Sequence, residues 1–279
     1  MNRKKEIIVW RFVDGKIGHE KQSLALVNFL KLEMNIKSFD IFTTSLFFTV
    51  FNKLKSLKNL PSADLIIGVG HNVHLSILIA KAIFGGKSIL IMKPSFPIHW
   101  FDLCIIPEHD RYFGRGSVYR TKGALCDIKK IGKKNPRKGL ILIGGASRSF
   151  IWDSNSVIKQ IKKLVIKNPQ IKFELSTSRR TPIDFLDKLG RLKEELNKNL
   201  KLSNTKKQKN NWVMDKMHEA KYAWITEDSI SMISESLTSG QLVGILTLEN
   251  TKGNRRREAL DILKKEGWIF YNQDESYQN

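Results

Sequence analysis

A carboxylate, an ammonium group and an imidazole lie on one short turn near the start of the chain. Asp14, Lys16 and His19 are interleaved with Gly15 and Gly18, directly after an apolar run. Such a turn can hold an acceptor group and supply a general base for deprotonating a hydroxyl, and either Asp14 or His19 could be that base. The alternative is an ordinary turn aspartate beside an incidental histidine.

A second group of acidic and basic side chains follows a later apolar run, at Glu108, His109 and Asp110. These residues are another candidate for acid–base chemistry, or a loop in which one carboxylate caps the chain. His71, His74 and His109 do not have the spacing of a zinc site, so we predict that the chain binds no metal.

Two segments in the second half of the sequence carry residue types that bind phosphate. In the segment 144–147, glycines let the backbone approach a diphosphate, and exposed amides with the Ser147 hydroxyl can bind its oxygens. Arg179 and Arg180, next to Ser178, suit a phosphate or a carboxylate. The alternatives are a common glycine turn and surface arginines. There is no Walker lysine motif and no complete Gly-x-Gly-x-x-Gly motif, which disfavours ATP and NAD.

A serine-rich segment supplies a third group of polar side chains in this half. Asp228 or Ser229 is expected to cap a helix that Gly240 ends. Glu235 lies one or two turns further on, where its carboxylate could accept hydrogen bonds from two hydroxyls of a ribose. The alternative is a capped helix with a solvated glutamate.

The polar groups follow short apolar runs that alternate with segments of helical periodicity. Continuous apolar runs of this kind indicate a parallel sheet covered on both faces. The predicted strands are 7–13, 36–42, 63–70, 87–92, 101–106, 139–143, 171–175, 212–214, 222–226, 243–246 and 267–271. The predicted helices are 22–31, 46–57, 75–84, 157–166, 183–197 and 230–238.

The same alternation of elements restarts after a basic segment that contains proline and glycine. We therefore predict an α/β fold made of two Rossmann-like parallel-sheet domains that face an interdomain cleft. The predicted boundaries are 1–130 for the first domain, 131–138 for a linker and 139–279 for the second domain. Ligands of such sheets bind outside the carboxyl ends of the strands, where all the polar groups described above fall.

The chain of 279 residues is 41% hydrophobic and carries a net charge of +21, with only two cysteines. This composition excludes a disordered, collagen-like or disulfide-rich protein. Both halves are basic, which favours anionic partners such as phosphorylated substrates, a membrane surface or nucleic acid, although a lysine-rich proteome gives the same bias. No basic helix carries interleaved base-reading residues, so nucleic acid is disfavoured.

The segment 44–60 places large apolar residues at helical spacing between lysines. This pattern is typical of a helix that lies in a lipid interface, or of a helix that packs on its own sheet with a basic outer face. No apolar run is long enough to span a bilayer, and the first residues do not form a signal peptide. We expect a cytoplasmic protein that contacts the inner face of the cytoplasmic membrane peripherally.

Six motifs in this order resemble the mitochondrial fission protein family named Elongated Mitochondria, over nearly the whole chain. They are Asp14-Gly-Lys-x-Gly-His-Glu-x-Gln-Ser23, Phe101-Asp-Leu-x-Ile-x-Pro-Glu-His-Asp110, Thr121-x-Gly-Ala124, Gly144-Gly145, Thr177-Ser-Arg-Arg-Thr-Pro182 and Asp228-Ser-x-Ser-Met-x-Ser-Glu235. This family is similar to GT-B glycosyltransferases of the kind that make lipid-linked peptidoglycan precursors.

The resemblance implies a metal-independent glycosyltransferase with a nucleotide-diphosphate sugar as co-substrate, no other cofactor, and a lipid-linked or cell-envelope glycan acceptor. It implies catalysis by Asp14 or His19. It implies that Gly144, Gly145 and Ser147 face the donor diphosphate and Glu235 the ribose. Together with the residue patterns above, we predict the donor-binding residues Gly144, Gly145, Ser147, Thr177, Ser178, Arg179, Arg180, Asp228, Ser229, Ser231, Met232 and Glu235. The predicted acceptor-side residues are Lys16, Gly18, His71, Asn72, Glu108, His109 and Asp110. His71-Asn72 and Lys93-Pro94 depart from the family pattern, which leaves the acceptor open. The alternative function is a non-catalytic peripheral membrane or scaffold protein that retains the fold.

Overall fold

The computed structural model describes residues 5–43, 57–110, 112, 114–196, 198–203, 212–250 and 255–271. It divides into two compact units, Met1–Asp127 and Ile128–Asn279. The predicted helix at 46–57, on which the membrane-surface hypothesis depends, lies outside the described residues except for Leu57, which is buried. No helix in the described part of the chain is long and apolar enough to cross a membrane.

The first unit contains one parallel sheet of six strands, in the order β2-β1-β3-β4-β5-β6. Its strands are β1 (Ile7–Val13), β2 (Ile36–Phe42), β3 (Leu65–Val69), β4 (Lys87–Ile91), β5 (Leu103–Pro107) and β6 (Val118–Thr121), and its helices are α1 (Ile17–Glu33) and α2 (His74–Phe84). Successive side chains of a strand point to opposite faces of the sheet. Trp10 of β1 therefore joins a core with Ile77 of α2, whereas Val9 joins another core with Val27 of α1.

The second unit contains a second parallel sheet of six strands, in the order β10-β9-β7-β11-β12-β14, and a small antiparallel pair, β8 with β13. The strands are β7 (Asn135–Ile143), β8 (Phe150–Ile151), β9 (Lys172–Thr177), β10 (Leu200–Leu202), β11 (Ala220–Thr226), β12 (Leu242–Leu246), β13 (Glu249–Asn250) and β14 (Ile269–Tyr271). The helices are α3 (Ser154–Lys167), α4 (Ile183–Glu195), α5 (Trp212–Glu219), α6 (Ile230–Thr238) and α7 (Arg255–Lys265). The fold class predicted from the sequence, two Rossmann-like parallel-sheet domains, is confirmed.

Three local predictions were wrong. Residues 212–214 form the start of α5 and not a strand, because three apolar residues are too few for periodicity to separate the two. Helix α1 begins at Ile17, so the second half of the predicted turn is helical. Strand β7 begins at Asn135 and not at Gly139, because its first residues are polar and exposed and gave no apolar run.

Each sheet reverses its strand order beside its first strand. In the first unit β2 and β3 lie on opposite sides of β1, and in the second unit β9 and β11 lie on opposite sides of β7. At such a reversal the connections leave in opposite directions, which opens a crevice outside the carboxyl ends of the strands where α/β sheets bind ligands. A ligand site is therefore expected among the residues that follow β1, β3, β7 and β11.

Candidate functional site

The strand-order reversal of the first unit brings together Asp14, His19 and Asn72. Asp14 follows β1, His19 lies in the first turn of α1, and Asn72 lies in a 3-10 turn after β3. The Asp14 side chain is only 1% exposed, and its Oδ2 lies 3.0 Å from His19 Nδ1. Asn72 Nδ2 donates to the same oxygen at 3.2 Å. A carboxylate beside Nδ1 favours the tautomer with its proton on Nδ1, which leaves Nε2 able to accept a proton.

Two neighbours keep this pair in place. The backbone N–H of Lys16 donates to Asp14 Oδ1 at 3.2 Å, and Lys16 Nζ lies 3.6 Å from Asp14 Oδ2. Gly70 has a φ of +79°, and a Cβ at that position would lie 2.3 Å from Cε1 of His19. The imidazole therefore packs directly against the Gly70 backbone, and only glycine leaves room for it there.

Arg11 is a residue of this site that the sequence analysis missed. It belongs to β1 and is 7% exposed, and its Nε donates to Asp40 Oδ1 of β2 at 2.8 Å. Its Nη1 donates to the Glu20 carbonyl at 2.9 Å and to Ser23 Oγ at 3.2 Å. The buried guanidinium thus joins the start of α1, which carries His19, to two strands. The signal was an arginine inside an apolar run, which a solvated surface does not explain.

The other predicted acceptor-side residues are not part of this group. His71 is exposed, and a Cβ on Gly18 would lie in open space, so no close approach requires glycine there. The segment Glu108–Asp110 forms a 3-10 turn after β5, two strands away from β3. Glu108 pairs with Lys122, whose Nζ lies 3.4 Å from its Oε2. The second acid–base candidate is therefore separated from Asp14 along the sheet edge.

The reversal of the second unit packs Gly144 and Gly145 against the end of β11. The Gly144 N–H donates to Thr226 Oγ1 at 2.8 Å, and the Gly145 N–H donates to Asp228 Oδ2 at 3.1 Å. A Cβ on Gly145 would lie 2.1 Å from the Arg180 carbonyl oxygen. Both glycines are needed for this packing, but their amides are occupied within the protein. This corrects the expectation that these two amides are exposed for a diphosphate.

Asp228 is the centre of this second group. Its side chain is fully buried, and its Oδ2 also accepts from Arg180 Nη2 at 2.7 Å. The N-cap of α6 is Ser229, one of the two residues predicted for that position, but its side chain makes no capping hydrogen bond. Asp228 Oδ1 is buried and has no hydrogen-bond partner in the described part of the chain. The first amides of α6 are thus left without a side-chain cap.

Arg180 is held at this group with its guanidinium half in solvent. Its Nη1 donates to the Ala146 carbonyl at 3.1 Å, while 47% of its side chain is exposed. The exposed Arg179 is not part of these contacts. The buried Oγ of Ser147 has no hydrogen-bond partner among the described residues. A buried polar atom left without a partner costs about 1–3 kcal/mol.

The remaining donor-side residues lie on three elements. Thr177 ends β9, and the Ser178 hydroxyl after it donates to the Gly144 carbonyl at 2.6 Å, so that this hydroxyl is used within the protein. Ser231, Met232 and Glu235 lie on α6; Ser231 is exposed and the other two are half-buried. In the described part of the chain no group of three His, Cys, Asp or Glu side chains could hold a metal ion.

Glu227 is a second residue that the sequence analysis missed. It is fully buried, its Oε2 accepts from the Leu248 N–H at 2.9 Å, and its other oxygen pairs with Arg257 of α7. Burial raises the pKa of the Glu227 carboxyl, against the effects of Leu248 and Arg257. The Arg257 guanidinium lies 4.9 Å from the ring centre of Tyr271 in β14. Glu227 therefore fixes α7 and β14 beside the end of β11.

Comparison with known proteins finds a family and relatives that are similar to this chain. The family described as "Mitochondrial fission ELM1" matches residues 17–278. The uncharacterized protein RP120 of Rickettsia prowazekii (strain Madrid E) is 24% identical over 290 residues, which cover 84% of this chain and 81% of that protein.

Two solved structures illustrate the similarity in fold. A putative UDP-N-acetylglucosamine 2-epimerase from Listeria monocytogenes has a TM-score of 0.60 at 10% identity, covering 95% of this chain and 90% of that one. Phytolacca americana UGT2, complexed with UDP-2fluoro-glucose and pterostilbene, has a TM-score of 0.58 at 7% identity, covering 95% and 85%. At such low identity these similarities show the fold alone, which is the GT-B fold.

Proposed function

The chain belongs to the mitochondrial fission ELM1 family and has the GT-B fold, and we propose that it is a metal-independent glycosyltransferase. It moves a sugar from a nucleotide-diphosphate donor to a lipid-linked or cell-envelope glycan acceptor. The observation that carries the proposal is the buried Asp14 carboxylate 3.0 Å from His19 Nδ1 at a strand-order reversal. The UDP-sugar analogue in the Phytolacca americana UGT2 structure supports a nucleotide sugar as donor.

His19 is the general base in this proposal. Its Nε2 takes the proton of the acceptor hydroxyl, and the acceptor oxygen attacks the anomeric carbon of the sugar. The bond from that carbon to the diphosphate oxygen breaks, and the nucleoside diphosphate leaves with the electron pair. Asp14 holds the imidazole in the required tautomer and stabilises the imidazolium that forms, so Asp14 is a positioning residue.

The second unit stabilises the leaving diphosphate in this proposal. The half-exposed guanidinium of Arg180, which its ion pair with Asp228 holds in place, is proposed to contact the diphosphate, and Ser147 is proposed to lie beside it. The amides at the uncapped start of α6 favour negative charge in the same way. Because Gly144 and Gly145 use their amides internally, their role is to let Asp228 and Arg180 approach β7. Glu235 is proposed to bind the ribose.

A nucleotide panel tests the donor site first. We expect UDP, CDP, GDP, ADP or CMP to raise the melting temperature, because a ligand that binds only the folded state stabilises it. Arg180→Ala should abolish that rise. Arg179→Ala, which removes the same charge from the exposed neighbour, should keep it. The proposal fails if none of these nucleotides stabilises the protein, or if both variants behave alike.

A turnover assay then tests the base. The donor is a nucleotide sugar that carries the nucleotide found to stabilise the protein. The release of nucleoside diphosphate from this donor is measured in the presence of membrane lipid extract. We expect His19→Gln to lower the turnover about 10²–10⁴-fold, the range of a general base, while the nucleotide-induced rise in melting temperature is unchanged. A His19→Gln variant with full turnover would contradict the assignment.

The alternative from the sequence, a non-catalytic peripheral membrane or scaffold protein, depends on residues 46–57. Most of that segment lies outside the described residues, so no observation on the described chain favours this alternative. The nucleotide panel separates the two functions, because a scaffold without a donor site gains no stability from any nucleotide.

A further inference from the structure

A pocket of the first unit lies between the two connections that leave β4 and β5. Its volume is 310 Å³, which is at the lower end of the range for small-molecule sites. Besides two prolines it is lined by Lys93, His99 and Arg115 and by Phe96, Ile98 and Tyr112. None of these residues belongs to the Asp14–His19 group or to the donor-side group.

The positive charge of this pocket is not neutralised by the described residues that line it. None of those residues is acidic, and neither Lys93 nor Arg115 forms an ion pair with any residue in the described ranges. Lysines nearby behave differently: Lys81 Nζ lies 2.8 Å and Lys87 Nζ 3.2 Å from the Asp102 carboxylate. The pocket therefore attracts an anion, whereas the neighbouring surface carries compensated charge.

The walls of the pocket are fixed by packing beneath them. His74 of α2 is fully buried, and its Nδ1 accepts from the Ser95 N–H at 3.2 Å. Burial, with a smaller effect of His71, lowers the pKa of His74 to about 4, so its ring is neutral at pH 7. Phe96 stacks on Trp100 with ring centres 5.7 Å apart. Such preorganisation reduces the entropy that a ligand loses on binding.

The loop after β5, on the other side of the pocket, is also held by contacts within the protein. The Tyr112 hydroxyl donates to the Arg115 carbonyl at 2.9 Å, and Tyr112 packs against the core cluster that contains Trp10. The hydrogen bond to the Arg115 carbonyl therefore fixes the loop that carries the Arg115 side chain. The pocket offers an aromatic wall and two uncompensated cations at its rim.

We propose that this pocket binds the phosphate group of a phosphorylated ligand whose apolar or ring-shaped body packs on Phe96 and Tyr112. In the transferase, and resting on the proposed function, this ligand is the acceptor. Lys93 follows β4 and Asp14 follows β1, with β3 between them. Strands lie about 4.8 Å apart, so the two positions are separated by roughly 10 Å along one sheet edge. A phosphorylated sugar spans that distance between its reacting hydroxyl and its phosphate.

Calorimetric titration of the full chain tests the pocket without any nucleotide sugar. The probes are geranyl diphosphate and glucose 1-phosphate, which separate a lipid-borne phosphate from a soluble sugar phosphate. The test variant is Lys93→Ala/Arg115→Ala. The matched control is Lys159→Ala/Lys163→Ala, which removes two exposed lysines of α3 and so the same charge. All titrations are repeated with Arg180→Ala, which removes the phosphate contact proposed for the second unit.

For at least one probe, we expect the dissociation constant of the pocket variant to be at least tenfold higher than that of wild type. The dissociation constant of the control variant should stay within twofold of the wild-type value. Which probe shows the loss identifies the source of the phosphate. Binding that Arg180→Ala abolishes, an equal loss in pocket variant and control, or no binding of either probe overturns the proposal. The nucleotide-induced rise in melting temperature should persist in the pocket variant, so its presence or absence reports separately on the proposed function.

Discussion

At the scale of single residues, close contacts decide which side chains can meet. Gly70 leaves room for the His19 ring, and Gly145 leaves room for the Arg180 backbone. The residue types alone left Asp14 and His19 as equal candidates for the base. They differ in the structure, because the Asp14 carboxylate is 1% exposed and is shared by His19, Asn72 and Lys16. We therefore propose that Asp14 orients the imidazole and that His19 is the base.

Two glycine substitutions with opposite expected effects on the free energy of unfolding test the packing around Asp228 and Arg180. Gly145→Ala places a Cβ 2.1 Å from the Arg180 carbonyl oxygen, a backbone atom that must shift. We expect this variant to lose about 1–3 kcal/mol of unfolding free energy in urea. Gly190→Ala adds a Cβ in open space within α4 and should gain about 0.5–1 kcal/mol. Equal effects of the two substitutions would contradict the assigned contact.

At the scale of elements, connections and helix starts position the candidate groups more than the strands do. Because α1 begins at Ile17 and not at Gln22, His19 lies in the first helical turn, and Arg11 holds the next residue of that turn through the Glu20 carbonyl. The connection between β4 and β5 is held differently, through the hydrogen bond from the Ser95 N–H to His74 in α2. A buried neutral histidine thus anchors one wall of the basic pocket.

The stability of this connection should depend on pH. The folded-state pKa of His74 is lowered from 6.5 to about 4, so the unfolded chain binds more protons within that window. The contribution of His74 to the free energy of unfolding is therefore fully present above pH 6.5. This contribution, about 3 kcal/mol, is lost as the pH falls towards 4.

His74→Asn tests this dependence, because the asparagine oxygen can still accept from the Ser95 N–H but does not titrate in this range. We expect urea unfolding free energies measured from pH 7 to pH 4 to fall less steeply for the variant than for wild type. Parallel curves would show that His74 is not responsible.

At the scale of the whole molecule, each unit places its group of polar residues at its own strand-order reversal. The same topological rule thus places two groups of different composition, an aspartate–histidine pair in the first unit and an arginine–aspartate ion pair in the second. The net charge of +21 suits the phosphorylated donor and acceptor that we propose, and attraction of that kind weakens with added salt.

Amide hydrogen exchange in the presence of saturating UDP tests this division of roles. We expect slower exchange in the segments 146–149, 178–181 and 229–232, because the ligand covers their amides and restricts local opening. The segment 14–19 should exchange at its original rate. Slower exchange confined to the segments 14–19 and 70–72 would show that the nucleotide binds the first unit instead.

The sequence by itself did not predict the strands β6, β8, β10 and β13 or the helix α7, but it determined the fold class, the other strands and the segments that carry polar groups. It could do so because these features depend on local periodicity and on turn residues that act over a few positions. Only the tertiary structure decided which polar groups share a site. Asn72 and Asp14 are 58 positions apart and Asp228 and Gly145 are 83 apart, and each pair meets because of the strand order. Burial and contacts likewise decided that Asp14 pairs with His19, that Asp228 pairs with Arg180, and that Arg11 and Glu227 form ion pairs with Asp40 and Arg257. Spacing along the chain carries no information about such contacts.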